Sequence, residues 1–321
     1  CDVLTRENGS GAQLDAVWAD DFHHQVRVAL TGIQEGYFDS YGGSAEDLAS
    51  VLDNGWYYTG QAFPFWKGQP RGESCRHLPT SAFITCIENH DQVGNRALGE
   101  RLAHLVGTSA YRAASALLCL IPYPPLIFMG QEWAASTPFL YFTDHAGELG
   151  RQISAGRQKE FASAGINQQV NPEEVPDPQR LETFVRSKLW WDELRAEPHA
   201  SMLVLYRRCL EHRARWLKGR ALDRDGWSVA SFERVIALRY RGAEPSECLV
   251  VSSLHGDARL SLVRERFLRP PDGYDWRIEF ESRLTPATGG PSVTGPVETL
   301  VFRAPATLLL VAKRRTTGVR R

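Results

Sequence analysis

Apolar positions in the first part of the chain fall into short runs separated by stretches of helical spacing. The runs 16–19, 82–87 and 126–130 are brief, apolar and partly β-branched, as strands buried on both faces are. Between them, Val26, Ala29 and Leu30 predict a helix that stops near Gly32, and residues 33–80 read as loop and short helix rich in Gly, Tyr and Trp. Leu98, Leu102 and Leu105 predict a helix over 96–106, with further helices over 109–120 and 201–216. Pro122-Tyr123-Pro124-Pro125 must end the helix before it, because proline lacks the N–H that a helix needs. Strands alternating with helices in this way make an α/β arrangement, a parallel sheet with crossover helices. The segment 134–195 is too long for a simple connection and reads as a functional loop or lid.

From Trp227 onward the period becomes two. Strands are expected over 228–240, 248–254, 259–263, 276–281, 300–303 and 307–312, separated by turns at Gly242, Gly256-Asp257, 270–273 and 289–291. Such a succession suggests an antiparallel β-sandwich appended to the parallel layer, with domains over 1–218 and 219–321.

Composition narrows the class without changing this picture. At 321 residues and 43% hydrophobic the chain can bury a large core, and its net charge of -1 gives no reason to expect nucleic acid. The basic tail from Lys313 to Arg321 reads as a solvated end. No apolar run approaches the ~18 residues of a spanning helix, so no membrane is expected. The 6 cysteines lack CxxC spacing and several lie in apolar runs, which favours reduced core thiols and a cytoplasmic protein, in which the sequon at Asn8 has no meaning. Gly9-Ser10-Gly11 follows no strand and is not a dinucleotide loop. A start at Cys1-Asp2 without an initiator Met reads as an interior piece of a longer protein.

Chemistry concentrates in Glu88-Asn89-His90-Asp91-Gln92-Val93-Gly94-Asn95-Arg96, where an apolar strand gives way to a helix. In a (β/α)-barrel, loops at the C-terminal ends of strands form the active-site face. The plainer alternative is that Asn89 or Asp91 only caps the following helix. Asp20-Asp21-Phe22-His23-His24 follows the first strand in the same way. A metal cluster is disfavoured there because adjacent histidines lack the i, i+4 spacing of a helical zinc pair, so sugar contacts or rim hydrogen bonds are expected of Asp20, Asp21 and His24. Glu132, at the end of the third strand, could face substrate or form a rim ion pair. Trp133, Phe139, Tyr141 and Phe142 could form an aromatic platform or could be core, and Asp144 follows them.

Three stretches, 16–32, 88–102 and 126–145, together resemble the malto-oligosyltrehalose trehalohydrolases of the α-amylase superfamily (glycoside hydrolase family 13). The resemblance implies the C-terminal part of a (β/α)8 TIM barrel, about strands six to eight, followed by an antiparallel β-domain. It implies hydrolysis of the α-1,4 bond next to the terminal trehalose of maltooligosyl-trehalose and no cofactor; members of the superfamily often bind calcium, but no compact carboxylate cluster in this sequence calls for a metal. On this reading Asp91 stabilises the transition state. Substrate is bound by His90, Asn89, Asp20, Asp21, His24, Glu132, Trp133, Phe142 and Asp144. The nucleophilic Asp and the acid/base Glu of that superfamily follow strands four and five and have no counterpart here, Glu7 being a poor substitute. The alternatives are a glycogen-branching or other α-glucan enzyme, and a non-catalytic glucan-binding fragment.

Overall fold

The computed structural model describes Leu4 and residues 14–163, 171–220, 224–242, 247–283 and 295–315. Cys1, Glu7, the sequon, the loop 9–11, the turn 289–291 and the arginines at 320 and 321 lie outside the described residues.

The chain opens with β1 (Val17–Trp18), α1 (Asp21–Thr31) and α2 (Ala45–Asn54). A small hairpin of β2 (Ala62–Phe63) and β3 (Gln69–Pro70) precedes β4 (Phe83–Ile84). β1 and β4 pair in parallel, Val17 opposite Phe83 and Trp18 opposite Ile84. Thr85 bridges in parallel to Pro125, with Thr85 N donating to Pro124 O at 3.0 Å and Leu126 N to Thr85 O at 2.7 Å. Three segments therefore run side by side in one direction. The run 126–130, expected as a strand, contributes only this bridge. Pro122, Pro124 and Pro125 have no N–H to extend a ladder, and Gly130 (φ 86) turns the chain into a 3-10 turn over Gln131–Trp133.

The expected helix over 96–106 is also corrected. Helix begins earlier, in α3 (His90–Gly94), and resumes in α4 (Leu102–Leu105). Gly99 divides them: its φ is 61, and a Cβ there would lie 2.5 Å from the carbonyl oxygen of Phe139. α5 (Thr108–Leu120) is buried all round from Tyr111 to Leu120, because it packs against the helix over 199–212 and against the C-terminal sheet. The segment 134–195 is not structureless: it carries α6 (Gly147–Ser163), α7 (Leu181–Arg186) and a 3-10 turn over Trp191–Arg195. α8 (His199–His212) follows and continues as a π-turn over Arg213–Leu217.

Beyond it, β5 (Trp227–Phe232), β6 (Val235–Tyr240), β7 (Cys248–Ser253), β8 (Ala258–Ser261), β9 (Tyr274–Glu281), β10 (Thr299–Phe302) and β11 (Ala306–Arg314) are all antiparallel to their neighbours. The run 228–240 is a hairpin rather than one strand, turning at Glu233 (φ 51). The strand order β5-β6-β7-β11-β9 forms the main sheet, and β10-β8 a second, smaller one. Both faces of the main sheet are buried. Ile236, Leu238, Val250, Leu309 and Val311 join the core shared with the helices. Their alternates Val235, Ala237, Leu249, Val251, Leu308 and Leu310 pack instead with Leu260, Leu300 and Phe302 of the small sheet. The period of two is thus spent on two different cores. Tyr240 Oη donates to Leu120 O at 2.7 Å and Thr307 Oγ1 to Ala113 O at 2.8 Å, fixing the sheet to α5.

Cys86, Cys119, Cys209 and Cys248 are free and buried, but Cys75 is disulfide-bonded, so the reduced-thiol expectation fails at that position. Among the described residues no helix is long and apolar enough to cross a membrane.

Candidate active site

The C-terminal ends of β1 and β4 bring the two chemical motifs of the sequence together. Asn89 is the N-cap of α3, its Oδ1 accepting from Gln92 N at 2.8 Å, so the capping role is real. Its other end faces Asp20, whose Oδ1 lies 3.5 Å from Asn89 Nδ2. Gln92 Nε2 donates to the second oxygen of Asp20 at 3.2 Å and lies 3.5 Å from His24 Nε2. Its Oε1 accepts from Tyr37 Oη at 3.1 Å. Asp20 is therefore held between two amides that belong to a different strand end.

Asp91, in the first turn of α3, has a side chain 61% exposed, and His90 Nε2 stands 3.4 Å from its Oδ1. The half-exposed Trp18 meets the His90 ring edge-on at 5.6 Å between centroids. Capping thus occupies Asn89 and leaves Asp91 free to meet a ligand. A fixed carboxylate beside an imidazole can accept hydrogen bonds from sugar hydroxyls and can face a developing positive charge.

Asp21 and Asp20 point in different directions. Asp21 is buried. It accepts from Tyr41 Oη at 2.6 Å and Tyr57 N at 2.8 Å, and lies 3.4 Å from Arg71 Nη2. Burial raises its pKa, but His24, whose Nδ1 stands 3.7 Å away, the hydrogen bond from Tyr41, the Arg71 charge and Tyr57 N together outweigh that and hold it at about 2. Expected to meet sugar or to form rim hydrogen bonds, Asp21 does the second here: it ties the loop 33–71 to the start of α1. His23 is buried as well, its Nδ1 2.6 Å from Ile87 O. A carbonyl only accepts, so that nitrogen carries the proton. Burial, with the charges of His24 and Arg27, keeps His23 neutral.

Directly behind Asn89, buried Glu88 accepts from Leu102 N at 2.9 Å, and burial pushes its carboxyl pKa up against the pull of Arg101. Arg101 is fully buried and donates to Thr137 O at 2.8 Å and Met129 O at 2.9 Å. The strand end carrying the motif is thereby tied to the start of the 134–195 segment.

The remaining candidates do not join the cluster. Glu132 makes no ion pair among the described residues, and its Oε2 is buried without a hydrogen-bond partner. Of the two alternatives for Trp133, platform or core, it takes the core one: it is 2% exposed, and its Nε1 donates to Glu193 Oε1 at 2.8 Å. Phe142 packs between Phe139 and Phe184, at 5.8 and 5.1 Å. Asp144 is exposed on the approach to α6. Gln92, Tyr37 and Trp18 were not singled out from sequence. Gln92 sat inside the motif, next to Asp91, and that adjacency was the available signal. Tyr37 reaches the site only by the course of the loop after α1. Among the described residues no group of three or more His, Cys, Asp or Glu side chains is placed to hold a metal.

No family model matches the chain. It is 50% identical over 204 residues to the malto-oligosyltrehalose trehalohydrolase of Deinococcus radiodurans, a match covering 62% of this chain and 33% of that protein. It is 34% identical over 262 residues to the enzyme of the same name from Mycobacterium tuberculosis, covering 78% of this chain and 44% of that protein. The chain therefore spans between about a third and under half of these curated relatives. Among solved structures, a protein described as an α-amylase from Salmonella typhimurium superposes with a TM-score of 0.75 at 32% identity, covering 96% of this chain and 49% of that one. The trehalose-6-phosphate hydrolase of Bacillus licheniformis shares the fold, with a TM-score of 0.54 at 13% identity over 98% of this chain and 54% of that one. Two motifs thus meet at parallel strand ends in a chain that is similar, over 62% and 78% of its length, to malto-oligosyltrehalose trehalohydrolases and corresponds to a C-terminal portion of them.

Proposed function

We propose that this chain forms the C-terminal part of a glycoside hydrolase that cuts the α-1,4 bond next to the terminal trehalose of maltooligosyl-trehalose and releases trehalose. The observation that carries this reading is the exposed Asp91 carboxylate beside His90 at the C-terminal ends of parallel strands, within a chain 50% identical to a trehalohydrolase. On this reading β1, β4 and the segment after Pro124 are barrel strands six, seven and eight. Residues 1–218 belong to the barrel and 219–321 to the appended β-domain. The substrate is an α-glucan; the free buried thiols of Cys86, Cys119, Cys209 and Cys248 fit a cytoplasmic protein, whereas the disulfide at Cys75 does not.

Asp91 binds hydroxyls of the sugar at the bond to be cut and faces the positive charge that grows at the anomeric carbon. Because that charge exists only in the transition state, the contact strengthens there and lowers the barrier. His90 donates to the same sugar. Asp20, held by Asn89 and Gln92, extends the row of acceptors. A retaining mechanism needs one carboxyl to attack and another to protonate the leaving oxygen, about 5–5.5 Å apart. We assign both to the part of the relatives' length that this chain does not span.

Trehalose release from maltooligosyl-trehalose, by this chain and by a version extended upstream through the whole barrel, tests the proposal. Activity in the extended protein alone is expected. Release of trehalose at full rate by the chain itself would contradict the assignment of the two missing carboxyls. Transfer of glucan branches by the extended protein, without trehalose, would make it a branching enzyme.

A further inference from the structure

α3 is five residues long and carries both His90 and Asp91 in its first turn, so what holds its far end also sets where the Asp91 carboxylate points. A helix this short has few internal hydrogen bonds and depends on outside contacts. One such contact comes from α6, some sixty residues along the chain. Arg157 is buried, and its Nη2 donates to Gly94 O at 2.7 Å and to Arg96 O at 3.0 Å. The guanidinium lies over the rings of Tyr141, at 5.2 Å, and Phe161, at 4.5 Å, and its Nη1 meets Glu160 at 3.2 Å. Gly94 is the last residue of α3 and Arg96 lies just past its C-cap Asn95, whose N closes on the carbonyl of Asp91 itself at 2.9 Å. Phe139 also lies against Gly94, and its N–H donates to Gly99 O at 2.9 Å.

We propose that Arg157 is a positioning residue for His90 and Asp91: through its hydrogen bonds to Gly94 O at the end of α3 and to Arg96 O just beyond it, the segment 134–195 sets the geometry of the acidic motif. The inference deepens the functional reading above and rests on it for its catalytic consequence. Its structural half stands on the contacts alone. A planar guanidinium packed against two rings can serve both carbonyls at once with little further ordering, whereas an ammonium on a flexible stem cannot hold that geometry.

Two measurements test it. Hydrogen exchange on this chain compares the Asn95 and Arg96 amides in the wild type, Arg157→Lys and Arg157→Ala. The account expects exchange at least about tenfold faster in Arg157→Ala, an intermediate value in Arg157→Lys, and no change at Leu117 and Leu118 in the core of α5. Kinetics on the barrel-extended protein then follow trehalose release. For Arg157→Ala, kcat is expected to fall roughly 10- to 100-fold with KM changed less than about threefold, and guanidinium ion at millimolar concentration to restore part of it. Unchanged exchange at Asn95 and Arg96 would overturn the proposal, as would faster exchange with kcat intact. If the wild-type extended protein releases no trehalose, the functional reading fails, and the exchange data alone decide whether Arg157 holds α3.

Discussion

Asp20 and Asp21 are adjacent in sequence and have opposite fates, and the difference lies in their partners. Asp20 is held by two neutral amides at the candidate site, whereas Asp21 is buried among Tyr41, Tyr57 and Arg71. Asp21 is held at about 2 against an ordinary 3.8, so the folded state releases its proton more readily than the unfolded chain. Its stabilising contribution is fully present above about pH 4 and is lost as pH falls toward 2. Asp21→Asn is expected to cost about 2 kcal/mol at pH 7, with the gap to wild type closing below pH 2 in acid-unfolding curves. A gap that persisted unchanged at low pH would mean that the carboxylate's charge contributes nothing. His23 adds a second, milder pH dependence. Held neutral well below its ordinary 6.5, it resists the proton that the unfolded chain accepts, so stability is expected to decline as pH drops below about 6.5. His23→Gln should flatten that slope.

At the scale of elements, α3 and the 3-10 turn at Gln131–Trp133 make distinct predictions. Removing the Asn89 cap by Asn89→Ala should cost about 1 kcal/mol from the lost bond to Gln92 N, measurable by denaturant titration. It should also free Asp20 on one side. Trp133→Ala is expected to cost about 3–5 kcal/mol, because the side chain is buried and its N–H satisfies Glu193. A platform residue would instead leave stability unchanged and weaken maltooligosaccharide binding. Sequence alone made the strand-to-helix position of Asp91 legible, since an apolar β-branched run before a polar, cap-bearing motif is a local signal. It also foretold α5 and most of the C-terminal strands from their periods. It did not reveal the division at Gly99, which is forced by the close approach of Phe139, a contact of the tertiary structure. Nor did it reveal the hairpin at Glu233, where neither Gly nor Asn marks the turn. The split between Asp20 and Asp21 was equally invisible, because it depends on where Tyr41 and Arg71 arrive from distant loops.

At the scale of the molecule, the main sheet is bound on one face to the helices and on the other to the small sheet, so the two cores share a wall. Leu309→Ala and Leu310→Ala remove neighbouring side chains from opposite faces of β11. Each is expected to cost about 2–5 kcal/mol and to lower the same single calorimetric transition. Two separate transitions, each sensitive to one of these variants, would contradict a shared wall. The parallel layer bears on function through the site it carries, and the central claim concerns Asp91. That residue is 61% exposed and lies in a five-residue helix, so replacing it should leave the fold intact. The most direct measurement is trehalose release from maltooligosyl-trehalose by the barrel-extended protein, comparing wild type with Asp91→Asn. The account predicts trehalose from the wild type and a fall in kcat of roughly 10²–10³-fold in the variant, with an unaltered melting temperature. Trehalose release that survived Asp91→Asn undiminished would contradict it.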